Sequence, residues 1–177
     1  VSVAGGGALE PAQRERLLDV RGVATEPQSR FVRVGAGERD ARLRVFQIPS
    51  AAEGGFRFIH GDPETAWQRY RDGEAVLITE PYAWHRQLAV GDHVTLTTGS
   101  GEHRFPVAGV VRDYGTSEGA IIMARTTYDR YWDDPKVDSL GIHAGDGVDP
   151  SSLRERLATA AARGDQRVEL RSAHPTR

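Results

Sequence analysis

The sequence predicts an α+β protein: two strand–helix–strand halves at the chain ends, βαβ–βαβ, interrupted by a small α/β insertion. Three observations carry this. Strand–helix–strand patterns occur at both ends, over Val1 to Ile48 and Val137 to Leu170. The stretch Pro49 to Gly55 is small and turn-forming, as a subdomain boundary is. Between Phe56 and Trp132 a second series of short strands and helices follows, separated by its own turn residues. The expected organisation is a discontinuous subdomain, 1–55 with 136–177, carrying an inserted subdomain, 56–135.

Taken in order, Val1 to Ala4 reads as a strand and Glu10 to Val20 as a short amphipathic helix with Pro11 early and Gly22 as its stop. RFVRV (Arg30 to Val34) and ARLRVFQI (Ala41 to Ile48) alternate arginine with apolar residues, as the half-buried strands of a hairpin do. In HGDPETAWQRYRDG, Asp62 caps a helix, Pro63 takes its first position and Gly73 ends it. AVLIT (Ala75 to Thr79) is a buried strand. After Pro81 a short helix, Tyr82 to Leu88, runs to a stop at Gly91.

HVTLT and HRFPVAGVV form the clearest hairpin, around Gly99 to Glu102. The expected pairing is Thr98 with His103, Leu96 with Phe105 and Val94 with Val107, one face apolar. AIIM (Ala120 to Met123) is another apolar strand and Thr127 to Trp132 a short helix. Val137 to Ala144 is a strand. Asp149-Pro150 caps a helix with Leu153, Leu157 and Ala161 on one face, Gly164 ends it, and Val168 to Leu170 closes the pattern.

Composition narrows the function classes. A net charge of −2 gives no general attraction to nucleic acid or anionic lipid. The absence of cysteine excludes disulfides, thiolate metal sites and a cysteine nucleophile. No apolar run is long enough to span a membrane. The chain starts at Val1 with no methionine and no signal-peptide pattern, so it reads as a piece of something longer.

One stretch raises the question of catalysis. Gly115 to Gly119, GTSEG, matches G-x-S-x-G, the nucleophile-elbow pattern, with Ser117 at the nucleophile position. An elbow needs a strand before it and a helix directly after it, to aim the hydroxyl and the oxyanion donors. Here Ala-Ile-Ile-Met follows, a strand, so the stretch reads as a strand-to-strand loop of ordinary turn residues. Asp138 and His143 could complete a triad, but nothing marks them. The six histidines, His60, His85, His93, His103, His143 and His174, show no metal-ligand spacing; His93 and His103 point to opposite faces of the hairpin.

Asp129, Asp133 and Asp134 cluster near Trp132, where Asp133-Asp134-Pro135 is more simply a helix terminus. Arg30, Arg33, Arg42 and Arg44 could form a phosphate-binding stripe. More often such a set is the solvated face of a sheet with acids nearby, and the overall charge favours that. Trp67, Tyr70, Tyr82 and Trp84 read as core or as a packing seam, not as a ligand cage. No residue set reads as catalytic, as cofactor-binding or as metal-ligating.

The order of motifs from Gly73 to Trp132 resembles the extracytoplasmic core domain of MacB-like and FtsX-like ABC transporter permeases. The shared features are the strand ending in an acidic hinge (Ile78-Thr79-Glu80), the helix with Ala83, and the Leu-x-Val-Gly-Asp turn (Leu88 to Asp92). Phe-x-Val-x-Gly-Val (Phe105 to Val110), the strand from Gly119 to Ile121, and the helix with Tyr128 follow. Upstream, Val20 to Val23 resembles the family's Leu-Pro-Gly-Val with arginine in place of proline. Asp113-Tyr114-Gly115 and the pair Tyr128 and Trp132 look most like the lipid or lipoprotein export type.

The resemblance implies a porter-like subdomain next to the membrane and a distal insertion, lying between two transmembrane helices that enter near Val1 and Arg177. It implies no ATPase site in this segment and no cofactor. It implies an ATP-binding subunit acting through absent membrane helices, a second permease domain, and an extracytoplasmic cargo or partner protein. The exposed loop residues Tyr114, Thr116, Ser117 and Glu118 are the expected contact with that cargo or partner. The chain ends should lie close together. The alternatives are a small α/β hydrolase using Ser117 and a free-standing binding module.

Overall fold

The computed structural model describes residues 2–113, 115–164 and 166–171. In chain order its elements are β1 (Ser2–Leu9), α1 (Pro11–Leu18), β2 (Val23–Ala36), β3 (Arg39–Phe46), a 3-10 turn (Ser50–Gly55) and β4 (Phe58–His60). There follow α2 (Pro63–Arg71), β5 (Val76–Thr79), α3 (Glu80–Arg86), β6 (His93–Thr98), β7 (Gly101–Val111) and β8 (Ile121–Ala124). The last are α4 (Arg125–Tyr131), β9 (Val137–Ala144), α5 (Pro150–Ala162) and β10 (Val168–Arg171). No helix among the described residues is long and apolar enough to cross a membrane. The chain divides into two compact units, Val1–Arg30 with Pro135–Arg177, and Phe31–Asp134.

In the first unit the strand order is β10–β1–β9–β2, every pairing antiparallel. This is the split βαβ arrangement expected from the two end patterns. Leu17 of α1 and Leu153, Leu157 and Ala161 of α5 bury against Leu9, Val137, Leu140 and Ile142 of the strands. The i, i+4, i+8 spacing on α5 is what lets one helix face meet the sheet. Asp149 caps α5 by accepting a hydrogen bond from the Ser152 amide at 2.8 Å. The first and last strands are neighbours, with Ser2 opposite Arg171 and Val3 opposite Leu170. The pairing of β1 with β9 slips between Ala4 and Leu9, the interval that holds Gly5-Gly6-Gly7. Glycine tolerates the unpaired backbone that such a bulge requires.

In the second unit β2, β3, β8, β5, β7 and β4 lie in that order, and β6 pairs with β7. All four residues of β5 and of β8 are buried. Alternate residues serve opposite faces: Val76, Ile78, Ile121 and Met123 join one apolar cluster, Leu77, Ile122 and Ala124 another. A strand covered on both faces loses the polar–apolar alternation, which is why VLIT and IIMA read as continuous apolar runs. α3 and α4 cover the first face through Tyr82 and Tyr128, and α2 covers the second through Ala66, Trp67 and Tyr70. The Tyr70 hydroxyl donates to the Phe46 carbonyl at 3.1 Å, so its burial leaves no orphaned donor.

The compact units change over inside β2, at Arg30, and β3 pairs in parallel with β8 (Leu43 opposite Ile121) within the second unit. Two expectations are corrected. The β6–β7 register has Thr98 opposite Gly101, Leu96 opposite His103 and Val94 opposite Phe105. Gly101, at φ +108°, makes the tighter turn possible, and the Thr98 hydroxyl donates to the Gly101 carbonyl at 2.7 Å. The offset preserves strand parity, so Val94, Leu96, Phe105 and Val107 still share the buried face. Finally, α3 stops at Gln87, which takes the left-handed conformation at φ 53°, before Gly91 is reached.

Candidate functional site

Strand periodicity in the β2–β3 hairpin builds one wall of a cleft. Val34, Ala36, Ala41 and Leu43 are buried in the core, so Arg33 and Arg42, on the alternate positions, are left exposed. Gly37, at φ +65°, turns the chain between the strands, and Arg39 and Asp40 follow it. The opposite wall is α3, with Tyr82, His85 and Arg86, and the end of the cleft is Glu118-Gly119 of the β7–β8 loop. The enclosed volume is 410 Å³.

Arg86 ties the walls together. Its guanidinium donates to the Asp40 carbonyl at 2.9 Å and the Ala36 carbonyl at 3.4 Å, and lies over the Tyr82 ring at 5.4 Å. Burial pushes the Tyr82 phenol above its usual pKa, against a smaller opposing effect of the Arg86 charge. Arg42 approaches Glu118 at 3.7 Å, with both side chains well exposed. Such a pair holds its partners weakly, about 0–1 kcal/mol.

GTSEG is a loop between two strands, β7 and β8, and the element directly after Ser117 is strand β8, not a helix. Ser117 is exposed, and the nearest imidazole, His85, donates its Nε2–H to the Ser117 carbonyl at 3.1 Å, not to the hydroxyl. Asp138 is taken by Arg30 at 3.0 Å and His143 is exposed on β9; neither belongs to the compact unit that holds Ser117. Thr116 is half-buried and its hydroxyl donates to the Gly119 carbonyl at 3.3 Å, while Glu118 is exposed at the cleft mouth. The fourth expected contact residue, Tyr114, lies outside the described residues.

The arginine stripe divides. Arg30 pairs with Asp138 and Arg44 with Asp113, as residues of a solvated face do, whereas Arg33 and Arg42 face the cleft with Arg39 and Arg86. Two of the three acids near Trp132 serve α4: Asp129 accepts from Arg125 at 2.8 Å, and Asp134 accepts from the Tyr128 hydroxyl at 2.9 Å. His93 is exposed, whereas the His103 ring packs tilted against Tyr131, with ring centres 4.6 Å apart. Among the described residues no group of three metal-ligating side chains converges.

Trp84 departs from the expected packing. Trp67, Tyr70 and Tyr82 are buried, but Trp84 is 80% exposed. With Ala83, Leu88, Val90 and Val110 it lines an apolar groove of 710 Å³ on the other side of α3. Spacing alone could not separate Trp84 from its neighbours. The available signal was Pro81 and Gln87 bounding a helix too short to bury two opposite faces.

No protein-family model matches the chain. In sequence it is similar to an uncharacterized ABC transporter permease protein of Mycobacterium tuberculosis, 28% identical over 160 residues. That match takes in 88% of this chain and 19% of the relative, so the chain spans about a fifth of the length of the curated relative it matches. In fold it is similar to the periplasmic region of MacB from Actinobacillus actinomycetemcomitans, with a TM-score of 0.57 and 15% identity. That likeness covers 95% of this chain and 86% of the MacB chain. The extracellular domain of the noncanonic ABC-type transporter YknZ from Gram-positive bacteria gives a TM-score of 0.58 at 13% identity, over 92% of this chain and 90% of that one. The chain thus resembles an ABC permease in sequence and has the fold of MacB-type extracytoplasmic domains; these likenesses lead to transporter permeases and not to hydrolases.

Proposed function

We propose that the chain is a non-catalytic extracytoplasmic domain of an ABC transporter permease, which turns ATP-driven motion of membrane helices into the handling of cargo. What supports this reading is the joint likeness, in sequence to a permease and in fold to the MacB periplasmic region. The work is mechanical. An ATP-binding subunit moves membrane helices outside this sequence, and the unit carrying both chain ends, next to the membrane, moves with them. That unit bears on a second permease domain, and the distal unit meets exported lipid, lipoprotein or peptide, or a partner protein. Thr116, Ser117 and Glu118, on the exposed β7–β8 loop, are assigned to that contact.

Spin labels test the coupling. With cysteines at Gln68 and Glu102, both exposed, distances from each to a label on the second permease domain are measured in the full-length transporter. The expected result is a change of distance distribution between the nucleotide-free and ATP-trapped states. Distributions that superimpose in the two states would contradict the coupling.

A further inference from the structure

The cleft between the β2–β3 hairpin and α3 carries a charge pattern that the mechanical reading does not use. Four guanidinium groups, Arg33, Arg39, Arg42 and Arg86, line it against two carboxylates, Asp40 and Glu118. The chain as a whole has a net charge of −2, so this excess of positive charge is local. The guanidinium groups of Arg33 and Arg39 make no ion pair or hydrogen bond to any described residue. Among the described residues the Arg42 guanidinium is held only by the long, solvent-screened contact to Glu118. Arg86 is the opposite case: carbonyls and the Tyr82 ring fix it in place, so part of the cationic wall is set before any ligand arrives.

Like charges gathered in one concavity repel one another unless an anion joins them, and concave walls focus their field. We propose that this cleft binds a phosphate group. The cations come from β2, β3 and α3, so they reach a ligand from more than one side. A tetrahedral phosphate offers more acceptor oxygens, pointing in more directions, than a planar carboxylate, so it suits several guanidinium forks at once. The volume of 410 Å³ falls in the usual range for small-ligand sites and exceeds what a bare phosphate fills. A free phosphate and a lipid headgroup both present this chemistry. The inference stands on the cleft alone and does not require that the domain be driven by ATP.

The test titrates the 177-residue chain at low salt with inorganic phosphate by calorimetry, and with phosphatidylglycerol vesicles by co-sedimentation, phosphatidylcholine vesicles serving as the control. The Arg33→Gln/Arg42→Gln double variant is compared with Arg104→Gln, an exposed arginine outside the cleft. Binding of either probe should weaken about tenfold or more in the double variant, since charge-assisted hydrogen bonds to the anion are lost, and should persist in Arg104→Gln. Saturation by inorganic phosphate without vesicle binding assigns free phosphate. Vesicle binding that inorganic phosphate competes away assigns a lipid headgroup. The proposal is overturned by binding of neither probe, by equal weakening in Arg104→Gln, by equal binding to phosphatidylcholine, or by vesicle binding lost in Trp84→Ala but kept in the arginine variant.

Discussion

Ser117 is exposed, and the His85 imidazole meets its carbonyl, so among the described residues the hydroxyl has no base to activate it. Ser117→Ala is expected to change stability by no more than about 0.5 kcal/mol, and a fluorophosphonate probe to leave the wild-type chain unlabelled. Labelling at Ser117 would restore the hydrolase reading. Gly119, in the same loop, is under the opposite constraint. It sits at φ +73°, and a β-carbon there would collide with the Tyr82 amide nitrogen and the Thr79 hydroxyl. Left-handed strain and overpacking together should make Gly119→Ala cost about 2–4 kcal/mol, read as a lower urea midpoint at unchanged slope. A loss no greater than that of Ser117→Ala would refute this account of the loop. The second glycine of G-x-S-x-G is thus set by packing of the loop on α3, which a motif match cannot distinguish from an oxyanion requirement.

Local signals determined most elements, and the departures come from longer-range pairing. Caps at Asp62 and Asp149 were legible because a short acidic side chain before proline has one obvious use, and both accept the expected amide. The β6–β7 register was not legible, because a slip that preserves parity leaves the same apolar residues buried and alternation cannot see it. The end of α3 was missed because a non-glycine residue, Gln87, takes the left-handed position. That conformation is strained for glutamine and free for glycine. Gln87→Gly is expected to stabilise the chain by about 0.5–1 kcal/mol in thermal or urea unfolding. A destabilised variant would show that the Gln87 side chain, which lines the Trp84 groove, outweighs the backbone strain.

At the scale of the molecule the two end patterns met as expected, since β1 pairs with β10 and with β9. The place where the chain passes between compact units was less legible, because β2 is one uninterrupted strand through it, Val23–Ala36. A boundary inside a strand leaves no turn residues to betray it. The cleft was half visible: the hairpin arginines were seen, but which of them pair with acids and which join Arg86 depends on contacts distant in sequence. The central claim, that this is an extracytoplasmic permease domain, has a direct test in the compartment it occupies. The chain contains no cysteine, so a single cysteine at Gln68 or Glu102, in a full-length permease otherwise free of cysteine, reports accessibility without background. Treatment of intact cells with a membrane-impermeant maleimide is predicted to label both positions fully. Labelling that appears only after the membrane is permeabilised would contradict the account.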